Sequence, residues 1–367
     1  MSARTELDFF ERPLAAHDAC FWRRTAFLFA GRDGQCYWMD GLTSLLDLPH
    51  SRARSLLTAG VPVFLPVNPV EYHGPHLSLH NDALISEGIA RDIHAALAQS
   101  EGDWPYLVAS DLEVGVDPCP GPGTRGTPYR QVRALVLEAC QRLVELGAQR
   151  VVLVTFHGSP LHSLAIEAGV RWLVAHGVRA LAPLNLLLRA MLDIRAEDYA
   201  DAYSTIRDDA ERAIAMREAP TDFHAGFFET SLSLHYAPES VDPNHARLPP
   251  CPAIVPDRAL LRASRAARWL GRLQLAQELR FAATGVGWYA LRPFPAYTSR
   301  PHQASREAGA TIARYMVKEF AATTGRVFRG EESAPSPIMP WMAPLTLGGS
   351  FATGSVPLDA IAAIAPS

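Results

Sequence analysis

Four side chains that could bind a metal ion lie within twelve residues of one another in the first quarter of the chain. They belong to the stretch Glu71-Tyr72-His73-Gly74-Pro75-His76-Leu77 and to Asp82. Carboxylate oxygens and imidazole nitrogens are the ligands by which proteins hold hydrolytic divalent metals. Glu71 and His73 are two residues apart, so in extended backbone both side chains point to the same face. We therefore predict that this stretch forms part of a metal site.

A buried strand should deliver these side chains. The apolar segment 61–67 leads directly into the stretch, and a second apolar run, 151–156, ends at His157. Because the carboxyl ends of parallel strands lie at one edge of a sheet, we expect His157 close to Glu71 and His73. A single histidine after a strand is more often structural, and Asp82 could simply cap the next helix. Their occurrence together favours the metal site.

A third polar cluster occupies residues 222–231 and contains His224 and Glu229. Taken alone, it indicates a hydrogen-bonded turn at the start of a helix. The residues themselves do not decide between that structural role and a catalytic one.

The apolar pattern predicts an alternation of strands and helices. Strands are predicted at 61–67, 106–109, 151–156 and 179–184, and helices at 82–99, 128–146, 160–176, 257–280 and 302–323. This order indicates the α/β class with parallel strands, and the family resemblance described below implies a three-layer α/β/α domain with a mostly parallel sheet.

Three segments follow from this pattern. Residues 1–60 are predicted to be an N-terminal extension that packs on the core, 61–325 the main domain with the predicted metal site, and 326–367 a loosely ordered Pro/Ala-rich tail. The charged segment 189–220 could cover the site as a lid.

Composition excludes several classes of partner. The net charge is −4 and no dense run of Lys and Arg occurs, so we expect no binding to nucleic acid. No apolar run approaches the roughly 20 residues that span a bilayer, so we expect no membrane partner. The N-terminal residues are charged, and the five cysteines are scattered without a CxxC pair. These features predict a cytoplasmic protein with reduced thiols.

The motifs resemble, in the same order, the signature of the creatininase (creatinine amidohydrolase) family. The segment from Leu65 to Leu77, with Asp82, resembles the family's Leu-Pro-x-Gly-x-x-Glu-x-His-Gly-x-His-Leu followed by an Asp. The other matches are Pro122-Gly-Thr124, Phe156-His-Gly158, His224-Ala-Gly-x-x-Glu-Thr-Ser231 and, more weakly, Ala304-Ser-x-Glu-x-Gly309.

The resemblance implies a creatininase-like α/β/α domain, assembled as a homo-oligomer, in the family a hexamer. It also implies two divalent metal ions per chain, with zinc as the first expectation and manganese or iron as alternatives. Glu71, Asp82 and His157 would bind one ion, and His73 and Asp82 the other, with Asp82 bridging. A water molecule activated by both ions would attack a carbonyl carbon.

The family's other catalytic roles transfer to further residues of this chain. His224 would shuttle a proton to the leaving nitrogen, and His76 would orient the metal ligands by hydrogen bonding. In creatinine-cleaving members a Glu completes the second metal's shell where this chain has Ser159. Glu229 is the best replacement, so we predict it as a further ligand.

This sequence also departs from the creatinine-cleaving enzymes around the substrate. Gly158 replaces a Tyr, and residues 185–223 contain no tryptophan to close over creatinine. We therefore predict a metal-dependent amidohydrolase acting on a small, non-peptide substrate, a cyclic or formyl-type amide other than creatinine.

Four alternatives remain open at this point. A peptide-trimming metallopeptidase and a cyclic-ketone hydrolase would use the same metal site, and a metal-binding subunit without activity would explain Ser159. A serine hydrolase centred on Ser159 is disfavoured because no G-x-S-x-G elbow occurs. The glycine-rich loop at 121–126 lacks the ending of a phosphate-binding P-loop, so it indicates a substrate-lining or interface turn.

Overall fold

The computed structural model describes residues 29–30, 36–37, 43–102, 104–109, 111–350, 356 and 358–362. Most of the predicted N-terminal extension therefore lies outside the described residues. No helix in the described part of the chain is long and apolar enough to cross a bilayer.

The centre of the molecule is a five-stranded sheet in which every pair of neighbours is parallel. Its strands are β3 (Thr43–Ser44), β4 (Val63–Pro66), β5 (Leu107–Val108), β6 (Arg150–Val154) and β7 (Arg179–Leu181), in the order β3-β5-β4-β6-β7. Two short strands, β1 (Phe29–Ala30) and β2 (Cys36–Tyr37), form a separate antiparallel pair. The predicted parallel α/β sheet is confirmed.

Helices cover both faces of the sheet. They are α1 (His50–Thr58), α2 (Asn81–Glu101), α3 (Tyr129–Leu146), α4 (Pro160–Ala175), α5 (Leu184–Met191), α6 (Ala200–Tyr203), α7 (Asp209–Glu218), α8 (Phe227–Tyr236), α9 (Arg258–Trp269), α10 (Leu273–Tyr289), α11 (Arg306–Arg329) and α12 (Met342–Leu345).

Alternation along the central strands divides the core into two layers. Phe64 and Val152 face a layer built with α2, α5, α8 and α11. Val63 and Leu153 face the other layer, built with α1, α3 and α4. Successive side chains of a strand point to opposite faces, so fully apolar strands are required when both faces are covered.

Two side-by-side strands place the site. β4 and β6 pair in register, with Leu65 opposite Leu153 and Pro66 opposite Val154. The backbone after β4 and the backbone after β6 therefore leave the sheet at the same edge. This pairing brings the loop that contains Glu71 and His73 next to His157.

The helix that carries Glu229 is held by a close helix–helix contact. α8 packs on α11, where a Cβ atom on Gly309 would overlap the carbonyl oxygen of Ser231. Ser305 caps α11 by accepting a hydrogen bond from the amide of Ala308. The contact of Gly309 with Ser231 thus positions α8. Gly309 belongs to the weakest of the sequence motifs, Ala304-Ser-x-Glu-x-Gly309.

Three parts of the fold differ from expectation. The helix predicted at 257–280 is two helices, because Gly271 turns the chain with a φ of 72° between α9 and α10. In the predicted tail, Ile338 and Met339 are buried, and the Met339 amide donates to Glu278. The segment 189–220 is anchored in the core by Tyr203, which is 2% exposed and stacks on Phe227. Such burial is the opposite of what an opening lid needs.

Candidate metal centre

The loop after β4 carries Glu71 and His73 into the interior, where they are 2% and 1% exposed. The Glu71 amide donates to the carbonyl of Leu79 at 3.0 Å, which folds the loop back on itself. Gly74 has a φ of 72°, a conformation that side chains avoid, and turns the chain toward α2. Asp82, in the first turn of α2, then faces His73.

Glu71, Asp82 and His157 form a first cluster, here called the strand-side triad. Each offers one ligand atom, and these atoms lie within 4.8 Å of one another. His157 Nδ1 is 2.7 Å from Glu71 Oε2 and 3.7 Å from Asp82 Oδ2. All three side chains are buried.

His73, Asp82 and Glu229 form a second cluster, here called the helix-side triad, whose ligand atoms also lie within 4.8 Å of one another. His73 Nε2 is 3.4 Å from Asp82 Oδ1 and 3.2 Å from Glu229 Oε1. Asp82 belongs to both triads and turns a different oxygen to each. This is the geometry that a bridging carboxylate requires.

Backbone carbonyls fix which nitrogen of each imidazole faces the triads. His157 Nε2 lies 2.8 Å from the carbonyl oxygen of Val116, and His73 Nδ1 lies 3.0 Å from that of Glu71. A carbonyl can only accept, so each of these nitrogens is the N–H donor. The lone pair of a neutral ring is then left on His157 Nδ1 and His73 Nε2, the two atoms that point into the site.

Unpartnered oxygen atoms test whether these residues suit a metal ion. Glu71 Oε2 and Asp82 Oδ2 are buried without a hydrogen-bond partner. A possible donor to Glu71 Oε2 is His157 Nδ1 at 2.7 Å, and it can donate only while that nitrogen carries a proton, not when its lone pair faces the site. Leaving such groups unsatisfied is costly unless another ligand takes their lone pairs. The donor set of carboxylates and imidazoles fits divalent metals, and we conclude that the residues fit the implied ions.

In the metal-free site, burial and the close approach of carboxylates and imidazoles shift the pKa values of the candidate ligands. Burial alone would lower the pKa of His157, but the facing Glu71 carboxylate raises it to about 9. Burial likewise opposes the charge on His73, yet Glu229 and Asp82 raise its pKa well above the usual value. Burial raises the pKa of Asp82 to about 7. Without metal, protons on the imidazoles thus balance the carboxylates.

His224 lies beside both triads. Its ring stacks on His73 with 4.5 Å between centroids, and its Nδ1 is 4.0 Å from Glu71 Oε1. Burial, and then the charge on His73, lower the pKa of His224 to about 4, so the ring is neutral at neutral pH. A neutral imidazole in this position can accept a proton and pass it on.

His76 lies one step behind the triads. Its Nε2–H donates to Thr230 Oγ1 at 2.9 Å, and that hydroxyl donates to the carbonyl of Ala225. Burial lowers the pKa of His76 to about 3, so the ring is neutral. The structure therefore places His76 against the turn that precedes α8, where it braces the backbone between His224 and Glu229.

Two other sequence features have structural duties. Ser159 caps α4 by accepting from the amide of His162, so its hydroxyl is already engaged. Thr124, in the Pro-Gly-Thr loop, accepts from the Tyr72 amide at 2.9 Å and donates to the Cys119 carbonyl at 2.8 Å. This loop joins two backbone segments that border the site.

Sequence reasoning missed three supporting residues. Asn81 Nδ2 donates to Glu229 Oε1 at 2.9 Å, and the Cys119 amide donates to Glu71 Oε1 at 2.6 Å. Trp288 packs on His224 with 5.2 Å between ring centroids. Asn81 directly precedes Asp82, so its position in the sequence could have indicated a role at the site. Cys119 acts through its backbone amide, and Trp288 is distant in sequence, so neither residue gave a local signal.

Comparison with known proteins agrees with this geometry. The family model for creatininase (creatinine amidohydrolase) matches residues 47–324. The mycofactocin precursor peptide peptidase of Mycobacterium ulcerans (strain Agy99) is 28% identical over 201 residues, which cover 53% of this chain and 66% of that protein. The match therefore spans slightly less than two thirds of that relative's length.

Solved structures of the same family share the fold. A mutant creatininase of the Zn-Zn type has a TM-score of 0.50 and 21% identity, covering 78% of this chain and 98% of that one. A protein of Bacteroides fragilis described as a creatinine amidohydrolase has a TM-score of 0.51 and 18% identity, covering 78% and 96%. Because the family model spans about three quarters of the chain, the protein belongs to the creatininase (creatinine amidohydrolase) family.

Proposed function

We propose that this protein hydrolyses an amide C–N bond at a centre of two divalent metal ions. The observation that carries the proposal is the pair of buried triads that share Asp82, each with ligand atoms within 4.8 Å of one another. Divalent ions held there supply Lewis acidity and lower the pKa of a bound water, the nucleophile for a carbonyl carbon. Zinc is the first expectation, and manganese or iron would suit the same donors.

The chain's own groups would divide the remaining work. Glu71 and His157 would hold the strand-side ion, His73 and Glu229 the helix-side ion, and Asp82 both. His224 is neutral and close to the triads, so it would take a proton and return it to the leaving nitrogen. Trp288, His76 and Asn81 would keep His224 and Glu229 in place.

The substrate is proposed to be a small amide, cyclic or formyl-type, rather than creatinine. Ser159 is occupied as a helix cap, and Gly158 presents no side chain where the creatinine-cleaving enzymes present a Tyr. Ser159 removes one metal donor of the creatinine-cleaving enzymes, which Glu229 would replace, and Gly158 changes the surroundings of the substrate.

Trimming of a short peptide is a second candidate. It is favoured by the relative from Mycobacterium ulcerans, whose name describes a precursor peptide peptidase. A peptide bond is also an amide C–N bond, so the same residues would serve it. The two candidates differ only in what surrounds the scissile bond.

A single experiment separates these candidates. Purified protein is loaded with zinc, manganese or iron, its metal content is determined by elemental analysis, and hydrolysis is followed for cyclic amides, formamides, short peptides and cyclic ketones. We expect about two ions per chain and turnover of one amide class, with peptides as the second candidate. Turnover of cyclic ketones alone, or a content of one ion or none, would reject the proposal.

A further inference from the structure

Partly exposed side chains border the buried metal ligands on the side of His224. Each predicted ligand has at most 7% of its surface exposed. The His224 side chain is 12% exposed, and Phe223 and Tyr289 are neither buried nor fully exposed. A substrate has to reach the two triads from solvent, so the side chains on this border are in a position to touch it.

The end of α10 supplies two aromatic rings to this border. Trp288 is 3% exposed, contacts His224, and donates its indole N–H to the carbonyl of Tyr297 at 3.0 Å. The polar atom of Trp288 is therefore already in use. Tyr289 follows it in the chain, and the Tyr289 ring lies 4.9 Å from that of Trp288 and stacks on Phe294 with 5.7 Å between centroids. These contacts hold the Tyr289 ring in place without involving its hydroxyl.

The hydroxyl of Tyr289 is directed toward the strand-side triad. Tyr289 packs on a buried cluster that includes Tyr72 and Cys119. Tyr72 directly follows Glu71, and the Cys119 amide donates to Glu71 Oε1. Burial raises the pKa of Tyr289 well above its usual range, and the nearby Cys119 thiol and Glu71 carboxylate raise it further. Both groups must lie close to the phenol oxygen to have this effect, so the hydroxyl faces Glu71 and keeps its proton at neutral pH.

The Tyr289 hydroxyl is a donor that the described part of the chain does not use. It makes no hydrogen bond there, and its oxygen still reaches solvent. Two other hydroxyls near the site are engaged, because Thr124 donates to the carbonyl of Cys119 and Thr230 donates to that of Ala225. A substrate that enters on this side displaces the water around the phenol and has to offer an acceptor in its place. The carbonyl oxygen of an amide is such an acceptor.

The triads offer little else of their own to stabilise negative charge on a substrate. Within the described residues, the ion-pair partners of Glu71, Asp82 and Glu229 are all histidines. Hydrolysis of an amide places negative charge on the carbonyl oxygen, and hydrogen-bond donors aimed at that atom lower the barrier. A neutral phenol suits this task beside carboxylates because, unlike Lys or Arg, it forms no ion pair with them.

We propose, on the basis of the amide hydrolysis proposed above, that the Tyr289 O–H donates a hydrogen bond to the carbonyl oxygen of the substrate as charge develops there. Tyr289 is then a further catalytic residue, supplied by α10. Water adds its oxygen to the carbonyl carbon, the C–N bond breaks with its electron pair on nitrogen, and a proton of the water reaches that nitrogen through His224. Tyr289 keeps its own proton throughout. The same contact serves a small amide and a peptide bond, since both present the same carbonyl group.

The test removes the hydroxyl alone. Tyr289→Phe keeps the ring that packs on Trp288 and Phe294, so its melting curve and its metal content by elemental analysis should equal those of the wild type. With the amide that the wild type hydrolyses, kcat should fall about 100- to 1,000-fold, the usual cost of removing one such donor. KM should change by less than about threefold, because the hydrogen bond strengthens only as the charge develops.

A second measurement does not depend on turnover. The probe is the phosphonamidate analogue of the hydrolysed amide, whose tetrahedral phosphorus carries a charged oxygen where the transition state develops one. Calorimetric titration should give a Kd that is higher for Tyr289→Phe than for the wild type, by the same factor as the loss in kcat/KM. An effect on folding or on the metal ligands would instead appear in the melting curve or in the metal content.

Tyr199→Phe is the matched control. Tyr199 is also partly buried, and burial and the nearby Glu319 also raise the pKa of its hydroxyl. Its ring packs edge to face on Phe228 and not on Trp288. Removal of this hydroxyl should leave kcat and the Kd of the phosphonamidate within about twofold of the wild-type values.

Three results would overturn the role of Tyr289. They are a kcat for Tyr289→Phe close to that of the wild type, loss of metal from this variant, which would make the residue structural, and an equal loss of activity in Tyr199→Phe. A wild type that hydrolyses no amide would overturn the proposed function and the role of Tyr289 with it. That failure is seen in the wild type before any variant is measured, so the two failures are distinct.

Discussion

The two triads share Asp82 but differ in how firmly their other carboxylate is engaged. In the strand-side triad, only Glu71 Oε1 accepts a backbone hydrogen bond, from the Cys119 amide at 2.6 Å, while Glu71 Oε2 is buried and faces the His157 imidazole at 2.7 Å. In the helix-side triad, both oxygens of Glu229 accept hydrogen bonds, from Asn81 Nδ2 at 2.9 Å and from the Ala225 amide at 2.6 Å. A metal ion in the first triad would replace the proton of His157 Nδ1 that faces Glu71 Oε2. An ion in the second must share its carboxylate with the protein.

This contrast bears on the position where Ser159 replaces a metal-binding Glu. The family's creatinine-cleaving enzymes have a Glu at that position for the second metal, whereas here the Ser159 hydroxyl caps α4. The helix-side triad thus depends on a carboxylate that comes from α8 and is already hydrogen-bonded. We therefore expect the strand-side triad to bind metal more tightly and the helix-side triad to release it first.

Removal of the shared carboxylate should have the largest effect. Asp82→Asn keeps the shape of the side chain but replaces one of its two oxygens by an NH2 group and removes the negative charge that both triads share. Loss of an outer-sphere partner alone costs about 10- to 100-fold, so loss of a ligand at one ion and of the shared charge at both should lower kcat/KM by about 10,000-fold or more. Metal content should fall from about two ions to less than one, as measured by elemental analysis.

The matched control for this variant is Asp257→Asn. Asp257 caps α9 by accepting from the amide of Leu260, and asparagine caps a helix about as well. Its activity and metal content should equal those of the wild type. If Asp82→Asn retained two ions, the bridging role of Asp82 would be wrong.

Physical reasoning from the sequence placed His157 beside Glu71 and His73, whereas the assignment of Asp82 and Glu229 as ligands came from the family resemblance. Parallel strands bring their carboxyl ends together, which is enough to place His157 beside Glu71. Glu229 lies on a helix after several intervening elements, and no periodicity says which way α8 packs. Its position depends on the contact of Gly309 with Ser231, a tertiary feature that only the family motif anticipated. The same limit explains why Trp288 was missed.

His224 belongs to neither triad that contains Asp82, although it forms a third candidate group with Glu71 and His73, and we expect its removal to separate catalysis from metal binding. His224→Ala should lower kcat by about 100- to 10,000-fold, the usual contribution of a general acid–base. Both ions should remain, because His73, Glu229 and the strand-side ligands are unchanged. The measurements are initial rates together with metal content.

His80→Ala is the control for His224→Ala. His80 precedes Asn81 in the chain, but its side chain is exposed and pairs with the exposed carboxylate of Glu113. It should change kcat by less than about twofold, as expected of a surface substitution. Loss of metal from His224→Ala would show that His224 is a ligand and would remove the basis for its catalytic role.

Glu229→Gln tests directly whether the two triads bind metal with different affinity. The amide keeps the hydrogen-bonded shape but is a poor ligand, so one ion should be lost and the other retained. We expect a loss of about 100-fold in kcat/KM, at the upper end of what an outer-sphere change costs. Dialysis of the wild type against a chelator should remove the same ion first. Unchanged stoichiometry in Glu229→Gln would reject Glu229 as a ligand.

The smallest expected effect is the release of protons when metal binds. The pKa of His157 is raised to about 9 against burial by Glu71, so at pH 7 the metal-free ring carries a proton on the nitrogen that the ion needs. Metal binding must displace it, and affinity should rise about tenfold per pH unit for each proton released between pH 6 and 8. Calorimetric titrations in two buffers of different protonation enthalpy count these protons, and we expect at least about one per ion. His224→Ala should leave the count unchanged, because a pKa of about 4 keeps that ring neutral at pH 7. A count of zero would mean that His157 carries no extra proton in the absence of metal, and the ionisation described for the metal-free site would be wrong.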